Sequence, residues 1–291
     1  MSRQHGLFKS NNGGKSWQPT DFPARSSGFS LKPYQLALSP NYLADETIFI
    51  ATGLSLYRST DGGRTWQSLA AGAGPESFQA QQVALSPNFA SDQTLLASTP
   101  LSVYRSTNGG DTWQPVLTSG VETSTTDVLS FSPDGQTAYA RFGYGTSLFV
   151  STDGGDTWQP QPSGQDESFS ITSTAVDTDR TLTAAVEFEK KLLQTPAWQN
   201  ISEVLPKGLS TLNALAYDPD GKLYAAGKGG IVYSDDNGQS WQTFSTNGLG
   251  ENPNITHLAV STSTLLVALN DGALFRFNEG DNRWLNVSII K

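Results

Sequence analysis

The octet Ser59-Thr-Asp-Gly-Gly-Arg-Thr-Trp66 returns as Ser106-Thr-Asn-Gly-Gly-Asp-Thr-Trp113 and again as Ser151-Thr-Asp-Gly-Gly-Asp-Thr-Trp158. Ser10-Asn-Asn-Gly-Gly-Lys-Ser-Trp17 and Ser234-Asp-Asp-Asn-Gly-Gln-Ser-Trp241 are close variants. Two further copies are worn: Leu193-Gln-Thr-Pro-Ala-Trp198, shortened by deletion, and Phe277-Asn-Glu-Gly-Asp-Asn-Arg-Trp284. All seven tryptophans close one of these copies, at intervals of 40 to 49 residues. A period of that length belongs to the blades of a propeller.

Each letter of the motif has a turn-forming role. A third-position Asp or Asn (Asp61, Asn108, Asp153, Asp236) can accept hydrogen bonds from the N–H groups of the turn, and the fifth-position glycines (Gly63, Gly110, Gly155, Gly238) supply positive φ. The hydroxyls of Ser59 and Thr65, Ser106 and Thr112, Ser151 and Thr157, and Ser234 and Ser240 can bond across the loop. Trp66, Trp113, Trp158 and Trp241 then open the returning strand, and the expectation is that each indole anchors its own hairpin.

A second hairpin precedes the first in each repeat. Leu36-Ala-Leu-Ser-Pro-Asn41 alternates apolar and polar residues, turns, and returns as Thr47-Ile-Phe-Ile-Ala51, and Val83-Ala-Leu-Ser-Pro-Asn88 repeats the pattern. Each unit therefore reads as strands A, B, C and D, with the Trp-closed turn between C and D. The fold class expected is all-β: a β-propeller of four-stranded antiparallel blades, as one domain over 1–291. Seven C–D hairpins stand against six A–B hairpins. The first of seven blade positions is thus expected to be incomplete, to be filled by another segment, a longer chain or an assembly.

The motif copies resemble those of the Asp-box (bacterial neuraminidase repeat) propellers, which include sialidase-like, sortilin-like, xyloglucanase and photosystem II stability factor-like proteins. That resemblance implies that the boxes lie at the blade periphery and carry architecture, not activity. It also implies a secreted or cell-envelope location. A sialidase-like site would need three arginines to clamp a carboxylate, a geometry suited to the guanidinium fork. Arg58, Arg105 and Arg276 fall on C strands near the boxes, Arg64 and Arg283 fall inside boxes, and Arg180 falls in an A–B turn. The Arg-Ile-Pro signature of sialidases is absent. A glycan-active hydrolase with noncanonical acids is therefore the alternative reading, behind a non-enzymatic binding scaffold for a protein or glycan.

Composition narrows the partners. A net charge of −9 disfavours nucleic acid and anionic membranes, both of which need a positive face. The absence of cysteine excludes disulfides and thiolate metal sites, and no metal or cofactor motif is present. No apolar run is long enough to suggest membrane insertion.

Because strand direction alternates, B–C loops and D–A connections share the face opposite the boxes, where function is expected. The B–C loops fall near Gly53-Leu54, Pro100-Leu101, Arg141 to Ser147, Glu187 to Lys191, Lys228-Gly229 and Asn270-Asp271. Arg141, Phe142 and Tyr144, with Glu187 and Lys190 in the next repeat, combine aromatic rings with both charge signs and form the candidate binding surface. The connection from Pro23 to Tyr34 is the longest, and long connections often carry function.

Overall fold

The computed structural model describes residues 7–288, apart from 24, 27–28, 31–32, 70–78, 119–125, 143–146, 163–170, 187–190, 197–198, 202–204 and 262–263. Six four-stranded sheets follow one another along the chain, each an antiparallel meander in sequence order. They are numbered here blades I to VI, with strands A to D. Blade I comprises Gln35–Leu38, Ile48–Ala51, Leu56–Ser59 and Gln67–Leu69. Blade II comprises Gln82–Leu85, Leu95–Ser98, Ser102–Ser106 and Gln114–Thr118, and blade III Thr126–Phe131, Ala138–Phe142, Ser147–Ser151 and Gln159–Pro162. Blade IV is Ile171–Val176, Leu182–Val186, Leu192–Gln194 and Gln199–Asn200; blade V is Ala214–Tyr217, Leu223–Gly227, Gly230–Ser234 and Gln242–Thr243. Blade VI is Ile255–Val260, Leu265–Leu269, Leu274–Asn278 and Arg283–Asn286. Ahead of them stands a two-stranded C–D hairpin, Phe8–Lys9 with Gln18–Pro19. The architecture is an all-β propeller of four-stranded antiparallel blades.

The chain divides into two compact units. The first holds the strands of the leading hairpin and blades I to III; the second holds the 10–17 turn and blades IV to VI. The connection from the leading hairpin to blade I contains a small hairpin that the sequence does not announce, Arg25–Ser26 paired with Phe29–Ser30.

Burial follows strand order. The B strands of blades I to V are buried along their whole length, as a continuous apolar run covered on both faces should be. In blade I, Phe49 and Ala51 pack with Val83, Leu95 and Ala97 of blade II in one cluster. D strands carry most of the exposure, as Gln67 and Ser68 show.

The Trp-closed turns form as their letters require. Asp61 Oδ1 accepts from the N–H groups of Arg64 (2.9 Å) and Thr65 (2.8 Å), while Thr65 Oγ1 donates to Oδ2 at 2.6 Å. Ser59 Oγ accepts from Gly63 N at 2.8 Å, and Gly62 and Gly63 both take positive φ. Asp153 and Asp236 repeat these bonds. In blade II, Asn108 reverses one of them: its Nδ2 donates to Thr112 Oγ1 at 2.9 Å. The carboxyls of Asp61 and Asp236 are lowered to about 2, above all by the hydroxyls of Thr65 and Ser240. Asp153 also falls to about 2: desolvation opposes the shift, and the bonds from Thr157 and Ser151 outweigh it.

One expectation is corrected here: the indoles do not anchor their own hairpins alone. Trp113 (4% exposed) packs with Phe49, Leu56 and Leu69 of blade I as well as with blade II. Trp66 meets Phe22 edge-on at 5.0 Å and packs beside Leu7. Trp158 packs beside Leu96 and Val103 of blade II. Trp66 and Trp158 are half-buried, not fully buried. Each ring thus faces the preceding blade or hairpin. The fifth-position glycine explains how that neighbour comes so close. A Cβ on Gly110 would lie 2.7 Å from Leu69 Cδ1, and one on Gly238 would lie 2.5 Å from Ile201 Cδ1. Trp198 lies outside the described residues, although Leu193–Gln194 still pairs with Gln199–Asn200 across the shortened copy.

A second coupling uses the residue just before the first motif letter, on strand C. Arg58 Nη1 donates to Gly109 O of blade II at 2.7 Å, and Arg105 Nε to Gly154 O of blade III at 2.9 Å. Gln194 Nε2 reaches Asn237 O of blade V at 3.1 Å. Lys9 Nζ stands 5.2 Å from the centre of the Tyr42 ring. A Cβ added to Gly13 would lie 3.3 Å from Arg276 Nη1. Arg58, Arg105 and Gln194 thus each place a long polar side chain as a donor to a turn carbonyl of the following repeat.

Candidate functional site

The structure places the sequence-derived site residues unevenly. Arg141 and Phe142 end strand B of blade III and are 1% and 4% exposed. Phe142 packs edge-on to Phe149 at 6.1 Å within the core around Leu96, Leu129 and Ala140. Strand B is the strand covered on both faces, so these two side chains do not form an exposed surface. Tyr144, Glu187 and Lys190 lie outside the described residues.

The face itself carries a concavity one and two blades earlier. A cavity of about 480 Å³ is lined by Tyr34, Gln35, Gly53, Gln79, Gln81, Gln82, Pro100 and Thr126, within the size range of ligand pockets, about 300–1,000 Å³. Gly53 and Pro100 are in the B–C turns of blades I and II, where the sequence placed loops of the functional face. Tyr34 and Gln35 begin strand A of blade I, Gln81 and Gln82 that of blade II, and Thr126 that of blade III. The site therefore belongs to one end of three consecutive blades in the first unit.

Local bonding fixes its walls. Tyr34 N donates to Ala51 O at 2.8 Å, and Gly53 N to Ala80 O at 2.8 Å. The Tyr34 ring lies against Gly53 so closely that a Cβ there would stand 2.2 Å from Tyr34 Cε2, so only glycine admits the ring; its φ of 73° makes the same demand. Tyr34 nevertheless remains 71% exposed. The glutamines bridge blades. Gln35 Oε1 accepts from Val83 N at 2.6 Å and Gln81 Oε1 from Thr126 N at 2.9 Å, while Gln82 Nε2 donates to Thr126 O at 3.0 Å. Among the described residues, those lining the cavity carry no formal charge.

Sequence reasoning named Gly53, Pro100 and the connection ending at Tyr34 as parts of the right face but passed over the glutamines, which have no motif. Their signal was available: a polar residue opens strand A at Gln35 and Gln82 where apolar residues follow. Asp45 and Asp92 close A–B turns. Asp92 Oδ1 accepts from Thr94 N at 2.8 Å and Oδ2 from Ser86 Oγ at 2.6 Å, at the end of the short helix Phe89–Asp92. Among the described residues no group of three His, Asp or Glu side chains is placed to hold a metal.

Fold and site together define a propeller with an amide-lined cavity on the B–C face of blades I to III. The family model described as photosynthesis system II assembly factor YCF48 matches residues 1–278, and the chain belongs to that family. No curated protein sequence matches it. Among solved structures, YCF48 bound to D1 peptide is similar over 87% of this chain and 79% of its own, with a TM-score of 0.65 and 18% identity. YCF48 from Cyanidioschyzon merolae is similar over 88% and 85%, with a TM-score of 0.62 and 16% identity. The GH74 xyloglucanase from Xanthomonas campestris is similar over 98% of this chain but 52% of its own, with a TM-score of 0.74 and 16% identity. At these identities the likenesses are of fold.

Proposed function

We propose that the chain is a non-enzymatic, protein-binding propeller that seats a peptide segment of its partner in the cavity of blades I to III. The observation that carries this reading is the cavity itself, open on the face of the B–C turns, lined by amides and one exposed tyrosine ring. Membership of the YCF48 family and the D1 peptide bound by one structural relative support a protein guest over a glycan. Arg58 and Arg105, on the C strands near the boxes, are engaged with the Gly109 and Gly154 carbonyls, which supports a structural role for them over a carboxylate clamp. The leading hairpin and its Trp17 turn are read as the outer half of a seventh blade: Trp17 Nε1 donates to Val287 O at 2.8 Å, just as the other indoles face a preceding blade.

Calorimetric titration with D1 peptide tests the proposal. Binding is expected, and Tyr34→Ala should weaken it about tenfold, equivalent to about 1.4 kcal/mol. A protein that binds no peptide, or turns over a xyloglucan oligosaccharide, would defeat it.

A further inference from the structure

Four glutamines line the cavity, and three of them, Gln35, Gln81 and Gln82, each have one amide end fixed by the backbone polarity of the next blade. Gln35 and Gln81 meet N–H groups (Val83 and Thr126), so their oxygens must point there; Gln82 meets a carbonyl, so its nitrogen must. The other ends are thereby assigned without ambiguity. Gln35 Nε2 and Gln81 Nε2 are donors, and Gln82 Oε1 is an acceptor, each left without a protein partner among the described residues. Thr126 is held on both sides of its peptide unit, so the wall formed by Gln81 and Gln82 is braced before any guest arrives, which lowers the ordering cost of binding.

From this we infer that the cavity reads the main chain of an extended peptide, not its charged side chains. The inference rests on the peptide-binding reading above. Two donors and one acceptor at amide groups match the N–H and C=O groups that every residue of an extended peptide presents. The described lining residues offer an ionic side chain no charge to pair with and would penalise its desolvation. Tyr34 and Pro100 supply flat apolar surfaces for the side chains between those bonds. Recognition of this kind tolerates sequence variation in the guest but demands an extended backbone.

The test uses the full chain and D1 peptide, with single N-methyl groups placed along the peptide to remove one main-chain donor at a time. Methylation at one or two positions should weaken binding about tenfold, the loss expected for a desolvated hydrogen bond. Neutralising the peptide's charged side chains, or raising salt from about 0.05 to about 0.5 M, should change affinity less than about threefold, since screening acts on charges. On the protein, Gln35→Glu and Gln81→Glu keep the oxygen that holds the neighbouring blade and replace the free donor with a charged acceptor. They should melt like the parent and bind about tenfold more weakly. Peptide binding that survives every N-methyl group, or that disappears with salt, overturns the main-chain reading while leaving peptide binding intact. Failure of the unmodified peptide to bind, or a xyloglucan oligosaccharide binding in its place and lost in the glutamine variants, overturns the peptide-binding reading itself.

Discussion

Blades I and II are joined differently from blades IV and V, although the same turn letters are involved. Between I and II the link is ionic and exposed at its edge: Arg58 donates to Gly109 O and pairs with Asp111 Oδ1 at 2.9 Å. Between IV and V the glycine at the fourth motif position is replaced by Asn237, which takes φ 55°, a conformation that Asn tolerates better than most residues. Its side chain then organises a hydrogen-bonded network around one carboxylate. Tyr217 donates to Asn237 Oδ1 at 2.5 Å, Asn237 Nδ2 donates to Asp177 Oδ2 at 2.7 Å, and Gln194 Nε2 bonds both Asn237 and Thr183. A charged donor tolerates water around it, whereas this network must be complete to be favourable, because each partly buried member loses a partner if one is removed.

Removing the centre of the network should therefore have the largest effect. Asn237→Gly relieves the backbone but strands Tyr217 and Asp177, and should cost about 2–3 kcal/mol in denaturant melts. An effect under about 0.5 kcal/mol would show the two links to be equivalent. Gly110→Ala comes next, at about 1–3 kcal/mol, because φ 96° and the contact with Leu69 both oppose a Cβ. The same change at Gly280, in the worn copy, meets only Asn278 Oδ1 at 3.6 Å and should be close to neutral. Arg58→Ala should cost about 1 kcal/mol or less, and the difference should shrink in high salt, as a partly exposed ion pair does.

The smallest effects are in pH, and they fall at opposite ends of the scale, an acid window for the turn carboxylates and a basic one for the IV–V network. Asp61, Asp153 and Asp236 have folded values of about 2, below the ordinary 3.8 of an aspartate. Their contribution is present above pH 4 and is lost as pH falls from 4 towards 2. Blade II holds Asn108 and should show no such titration. Burial, chiefly, raises the Tyr217 hydroxyl from 10.0 to about 12. Its neutral form is the one the fold favours, so the IV–V network contributes fully below pH 10 and weakens as pH rises from 10 to 12. Carboxyl and phenol shifts followed by NMR would place both windows; an Asp61 midpoint near 4 would remove the acid one.

The turns and the two hairpins of each blade were legible because their causes are local: hydroxyl, carboxylate and glycine letters a few residues apart determine the turn. What the tryptophans pack against was not legible, since the partners of Trp113 come from residues 49–69, one blade away. Arg141 and Phe142 were misjudged for the same reason. A cation and a ring ending a strand look like a binding loop until the neighbouring blades cover that strand. The cavity was half legible. Strand alternation gave its face, but only the crossing of three blades brings Gln35, Gln81 and Thr126 together.

The donor that precedes each turn makes the blades directional. Arg58 and Arg105 are followed by turns whose carbonyls accept them, whereas Val150 occupies the corresponding position in blade III and can donate nothing. Blades are therefore not interchangeable beads. A duplicated blade I or II carries its own plug and socket and can be spliced in at a D–A connection without leaving an orphan. A copy of blade III set ahead of blade II would leave the Gly109 carbonyl facing a valine. Such rules restrict which rearrangements of the gene could ever have lengthened or shortened this protein, and they tell an engineer where the seams are.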